Sequence, residues 1–175
     1  MKISTGSANL PAGALFAFAL GLLPLQSVAV EAGAAAPEVA ALRLGAISET
    51  VNLSAFRGQV VYVDFWASWC TPCRISMPAL DVLYRKYGAR GLVVIGVNKD
   101  AAAADAERFL KRTPVSFTLV QDAHDAAAQA FDVKAMPSGY LVDRRGIVRS
   151  VHRGFTSETA TQIEHEIDEL LKEPA

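Results

Sequence analysis

Seven consecutive residues, Val60-Val61-Tyr62-Val63-Asp64-Phe65-Trp66, constrain this chain more than any other segment. The run is β-branched and aromatic, and only Asp64 interrupts its apolar character. Gly58 bounds it on one side and a turn-like segment holding two cysteines bounds it on the other. A short continuous run of this kind reads as a buried central strand. A helical pattern follows from about Thr71 to Tyr87, with Leu80, Leu83, Tyr84 and Tyr87 at the i, i+3, i+4, i+7 spacing. Pro72 falls in its first turn, where a missing N–H costs nothing. Pro78 falls further in, where a kink is expected. Gly88 and Gly91 end the helix.

The pattern then alternates. Leu92–Val97 reads as a second buried strand, and Ala101–Arg112 as a helix with Ala102, Ala106, Phe109 and Leu110 on one face. Phe117–Val120 is a strand and Ala123–Phe131 a short helix. Gly139–Val142 and Ile147–Val151 are strands joined by Asp143-Arg144-Arg145-Gly146, a hairpin signal. Ser157–Leu171 is the closing helix, with Ile163, Ile167, Leu170 and Leu171 inward. Thr159 and Gln162 also match a capping box, which leaves the start of that helix open by a few residues. Ahead of the central strand, Ala40–Leu44 and Glu49–Leu53 are short strands split by Gly45. The resulting order is β-β-β-α-β-α-β-α-β-β-α. It predicts an α/β fold, with parallel crossovers in the strand–helix–strand units and an antiparallel hairpin late in the chain. No internal repeat or second domain is evident.

The N-terminal segment is of another kind. Residues 1–11 carry one charge, Lys2, and residues 12–25 carry none. That apolar run has the length of a signal-peptide core, and Ser27-Val28-Ala29 offers small residues for cleavage after Ala29. The competing reading is an uncleaved anchor, since Ala12 to Val30 approaches the length of a membrane span, although Pro24 and Gln26 weaken it. A core helix of a cytoplasmic protein is the third reading, and the Ala-rich stretch behind the segment argues against it. The expected organisation is a signal peptide or membrane anchor over residues 1–29, a linker over 30–39 and one domain over 40–173. Either leading option places the domain on the oxidising side of a membrane.

The 175 residues fit one domain plus that extension, and a hydrophobic content of 51% suffices for a core without disulfide staples. A net charge of −1 implies no nucleic-acid or anionic-lipid surface. His124, His152 and His165 show no metal-ligand spacing and read as surface residues without a role. No metal or cofactor is expected.

Both cysteines lie in one motif, Cys70-Thr71-Pro72-Cys73. There is no disulfide framework and no leftover thiol. A structural bridge gains most by closing a long loop, and this pair closes almost none. The pair is better placed for chemistry. Cys70 sits between a strand end and a helix start, where N–H groups and the helix dipole lower a thiol pKa. Cys73, one turn further, faces the same side beneath the helix terminus. Cys70 is therefore expected to be an exposed attacking thiolate, and Cys73 a shielded thiol that resolves the mixed disulfide. Half of a zinc site is the alternative, but it needs two further Cys or His at close spacing, and the sequence supplies none.

The segment Val63-Asp64-Phe65-Trp66-Ala67-Ser68-Trp69-Cys70-Thr71-Pro72-Cys73-Arg74 resembles the signature of the thioredoxin superfamily, through Asp-Phe-Trp-Ala, the Trp before the first Cys and the Pro before the second. Pro78 resembles that family's helix-kink proline, and Met136-Pro137 stands where the superfamily carries a cis-proline loop. With the signal-like N-terminus and two extra strands, the whole resembles the TlpA/ResA-type envelope branch over roughly residues 38–172. The resemblance implies a thioredoxin-like three-layer fold, a central mixed sheet flanked by helices with extra N-terminal strands. It also implies thiol–disulfide oxidoreductase activity in the periplasm, on protein disulfide substrates, in a monomer fed by a membrane electron donor. Oxidised apocytochrome c, other envelope Cys-x-x-Cys proteins and copper-assembly proteins are the implied targets.

Many members of that branch carry a Glu three residues after the second Cys, where this chain has Ser76. Asp64 occupies the place of a buried Asp in thioredoxins. A carboxylate beneath the site can take the proton that Cys73 must lose. Its apolar neighbours predict desolvation and a raised pKa. The competing reading is a solvated Asp near a strand end. Met136-Pro137 is expected cis, with its backbone against the cysteines ready to pair with an extended substrate; the bland reading is a trans turn proline. Trp66 is expected in the core and Trp69 at the rim of the site as a docking surface. Arg74 reads as an ordinary solvated charge.

Thr71-Pro72 brings no positive charge between the cysteines that would stabilise the reduced form, so a reductant is expected. Two rivals use the same residues. A copper-binding chaperone would hold Cu(I) on Cys70 and Cys73 without turnover. A thiol peroxidase would need a Thr-x-x-Cys, and Trp-Ala-Ser-Trp-Cys lacks that Thr.

Overall fold

The structure is a computed structural model that describes residues 1–2 and 30–174. The expected signal peptide or anchor therefore lies, but for two residues, outside the described residues. In chain order the elements are β1 (Ala40–Arg43), β2 (Thr50–Asn52), β3 (Val60–Trp66), α1 (Cys73–Tyr87), β4 (Leu92–Asn98), α2 (Ala103–Leu110), β5 (Thr118–Gln121), α3 (Ala126–Ala130), β6 (Ser138–Val142), β7 (Val148–Arg153) and α4 (Ser157–Lys172), with short 3-10 turns at Leu53–Phe56 and Gly88–Arg90. This is the order expected from the sequence.

The strands form one mixed sheet in the order β2-β1-β5-β4-β3-β6-β7. β3, β4 and β5 run parallel, as their helical crossovers require, while β6, β7, β1 and β2 pair antiparallel at the two sides. β3 is buried along its whole length. Val60, Tyr62 and Trp66 point to one face, where they meet Met77, Leu80 and Leu83 of α1, Phe109 of α2, and Ile163 and Ile167 of α4. Val61, Val63 and Phe65 point to the other, against Phe131 beside α3 and Tyr140 of β6. The strand that lacks alternation in sequence is thus the one with a helical layer on each side.

Several element ends differ from expectation, each for a local reason. Asp125 adopts a left-handed φ of 58°, so no helix can run through it, and α3 begins after it. The Asp122 carboxylate accepts the N–H groups of Ala127 and Ala128 at that start. α4, by contrast, begins at Ser157 as expected, because the Thr156 hydroxyl accepts the Thr159 N–H at 3.2 Å, leaving the Thr159–Gln162 box unused. α1 runs through Pro78 as one element. Within residues 30–39, expected as a linker, Gly33–Ala36 pair with the entry to β7: Gly33 N–H donates to Val148 and Ala36 N–H to Gly146, and Val30 and Val39 are buried. No helix among the described residues is long and apolar enough to cross a membrane.

Candidate active site

Three segments converge at the carboxyl end of β3. The chain leaves Trp66 into the turn Ala67–Thr71, β4 delivers Asn98 beside Trp66, and β6 starts at Ser138 opposite Phe65. Met136 and Pro137 stand just before Ser138, joined by a cis peptide bond.

Cys70 and Cys73 are bonded as a disulfide with Cα atoms 5.3 Å apart. Cys73 is the first residue of α1, and its N–H points at Cys70 Sγ from 3.3 Å. Pro72, ahead of it, has no N–H to offer. The positive end of the helix dipole therefore meets the Cys70 sulfur through a single amide, with no acidic side chain in the first turn to oppose it. The expected exposure of Cys70 is corrected: with the bridge closed the residue is 3% exposed, because the turn folds it against the α1 layer. Cys73 is fully shielded, as the sequence predicts. Ser76, at the position of the missing Glu, is buried and turns its hydroxyl to the Cys73 carbonyl.

The turn is held by a residue the sequence reading passed over. Asp100 accepts Ser68 N–H at 3.0 Å, Ser68 Oγ–H at 2.9 Å and Asn98 Nδ2–H at 2.8 Å, and all but vanishes from the surface. The available signal was Asn98-Lys99-Asp100 itself, polar residues at the carboxyl end of an apolar strand, where parallel sheets build their sites.

Asp64 is 2% exposed, so the solvated reading is set aside. It shares its face of β3 with Tyr62 and Trp66, the face that holds Cys70 and Cys73. Burial pushes its carboxyl well above the ordinary carboxylate range, and Oδ2 has no hydrogen-bond partner among the described residues. Its cross-strand partners on both sides are glycines, Gly96 of β4 and Gly139 of β6. A Cβ at Gly96 would come 3.2 Å from Trp66 Nε1, and a Cβ at Gly139 would overlap the Tyr62 hydroxyl. The two glycines thus let the polar ends of two aromatic side chains flank the acid. Trp66 Nε1 likewise lacks a partner among the described residues.

Tyr62 Oη in turn lies 3.4 Å from Nδ1 of His152. The surface reading of His152 is corrected: α4 covers it, and burial lowers its pKa against the opposing pull of Glu166. Trp66 is core, packed on Phe109 with ring centres 5.2 Å apart, whereas Trp69 is 66% exposed beside Cys70. Among the described residues no three His, Cys, Asp or Glu side chains gather as a metal site.

The comparisons agree with this architecture. Residues 31–171 match the Redoxin family. The thiol-disulfide oxidoreductase ResA of Geobacillus kaustophilus is 30% identical over 145 residues, spanning 83% of this chain and 81% of that protein. Among solved structures, a candidate thiol:disulfide interchange protein DsbE of Chlorobium tepidum is 38% identical, with a TM-score of 0.78 over 82% of this chain and 99% of that one. A candidate protein disulfide isomerase of Bacteroides thetaiotaomicron is 27% identical, with a TM-score of 0.73 over 83% and 96% of the two chains. A bridged cysteine pair at a helix start and matches that span most of the chain thus converge on one assignment: the chain belongs to the Redoxin family, in its thioredoxin-like branch, and is a thiol–disulfide oxidoreductase.

Proposed function

We propose that the protein reduces disulfides of other proteins in the periplasm, with Cys70 as attacking thiolate, Cys73 as resolving thiol and Asp64 as the base that serves Cys73. The observation that carries this reading is the placement of the Cys70–Cys73 bridge: its outer sulfur receives the first free N–H of α1, and its inner cysteine shares a face with a buried carboxyl.

In the reduced protein the Cys70 thiolate attacks one sulfur of a substrate disulfide. The other substrate sulfur leaves as a thiolate and takes a proton from water. Cys73 then gives its proton to Asp64 and attacks Cys70 Sγ, expelling the second substrate sulfur. The products are a substrate dithiol and the bridge seen in the structure; two electrons have moved to the substrate. A membrane donor returns them. Thr71-Pro72 adds no charge that would favour the reduced form, which supports the reducing direction. Trp69, with Ile75 also exposed on α1, offers an apolar landing surface. Met136 and Pro137 offer backbone to an extended substrate segment. Residues 1–29, as signal peptide or membrane anchor, deliver the domain, 40–173, which works as a monomer.

Replacing Cys73→Ser tests the scheme. The variant is expected to accumulate mixed disulfides through Cys70 in periplasmic extracts, while the native protein reduces insulin. No trapped species together with no insulin reduction sinks the assignment. A redox potential close to that of strong oxidants sinks the direction alone.

A further inference from the structure

The proton that Asp64 takes from Cys73 has to leave a site closed to water. One row of paired residues crosses the sheet at this level: Asp64 on β3, Gly139 on β6 and His152 on β7. Paired residues share a face, with Cβ positions about 4.5–5.5 Å apart. The Tyr62 hydroxyl fills the space that a Gly139 side chain would take, which sets it between Asp64 and His152, with no hydrogen bond to the Asp64 carboxyl while the bridge is closed. It reaches His152 Nδ1 at 3.4 Å. His152 Nε2 lies 3.1 Å from the Glu166 carboxylate, off the line of a straight hydrogen bond. Glu166 is fixed by Ser150 and Gln162 and borders a surface pocket with Arg149, His165 and Glu169.

We propose that Tyr62, His152 and Glu166 form a relay that carries the proton between Asp64 and solvent. The inference rests on Asp64 being the base for Cys73. As the bridge forms, protonated Asp64 donates to Tyr62 Oη while Tyr62 passes its own proton to His152 Nδ1, so the phenol is never ionised. His152 releases its Nε2 proton towards Glu166 and water, and one proton from Cys73 has left the protein. When the donor dithiol reopens the bridge, Cys73 departs as a thiolate and recovers a proton along the same path in reverse. The imidazole thereby returns to its starting tautomer, and the two half-cycles reset each other.

The groups around the path fit this task. Burial raises Tyr62 and keeps His152 neutral, so both can hand a proton on without holding a charge, while the raised Asp64 carboxyl is ionised only until it takes the Cys73 proton. The titratable groups facing it are Cys73 from α1, Tyr62 and Asp64 from β3, and Glu166 from α4, with His165, Glu169 and Arg149 at its outer end. Tyr62, His152 and Glu166 touch no substrate; they act through Asp64.

The test follows the two thiols released when the reduced full-length protein meets a symmetrical peptide disulfide. The first release reports attack by Cys70 and the second reports Cys73. Tyr62→Phe, which keeps the packing, is expected to slow the second release about tenfold at neutral pH while the first proceeds as in the native protein. Glu166→Gln at the surface end is expected to slow it less. In an Asp64→Asn background Tyr62→Phe is expected to cost nothing further, because there is no proton to relay; a purely structural role would slow both backgrounds alike. A second release at the native rate in both single variants overturns the relay, as does equal slowing in the two backgrounds. Failure of the first release in the native protein would instead count against the oxidoreductase reading.

Discussion

Asp64 is a residue whose ionisation works against folding. In the unfolded chain its carboxyl titrates near pH 4. In the fold, burial holds the proton to a much higher pH. Between those two values the folded protein binds more protons than the unfolded one, so stability is complete below the unfolded pKa and is lost as pH rises through the folded one. Asp64→Asn should remove that loss. Thermal unfolding of the oxidised protein is expected to coincide for the two forms below about pH 4, and the variant should then gain about 1.4 kcal/mol per pH unit through the window. A gain that does not vary with pH would show that Asp64 is not the titrating group. Asp64 was legible in the sequence because a lone carboxylate interrupts an apolar strand. Gly96, Gly139 and His152 were not. Gly96 and Gly139 meet Asp64, and His152 meets Gly139, through the register of separate strands, and spacing along the chain does not encode register.

The turn between β3 and α1 presents the cysteines, yet it owes its shape to the end of β4. Asp100→Ala would strip Ser68 of its acceptor and leave Asn98 Nδ2–H unpaired in the interior. The expected cost is about 1–3 kcal/mol in denaturant unfolding, with faster amide exchange at Ser68. Unchanged exchange there would mean that the turn holds itself. The strands and helices were legible in kind and order, since each carries its own periodicity. Their ends were less so. Asp122 and Thr156 cap α3 and α4 from outside the helical pattern, and the left-handed Asp125 stops α3 short; these are contacts of single side chains that composition does not betray.

Across the whole molecule, the stretch ahead of β1 behaves as part of the fold. Ala-rich residues suggested a tether, but backbone hydrogen bonds to β7 need no particular side chain, so composition could not reveal them. A chain lacking residues 1–36 loses those bonds and uncovers the core beside Val30. It should melt several degrees lower, at about 2–4 °C for each kcal/mol lost, and an unchanged melting temperature would make the stretch a passive tether after all. The same economy of exposed surface governs the cysteines. With so little of Cys70 open to solvent in the bridged form, a small free thiol such as cysteine has almost no target area to collide with. Re-reduction then turns on approach: a donor has to bring its thiolate to the small part of Cys70 left open, and the exposed Trp69 beside it gives a folded donor something to rest on while it does so.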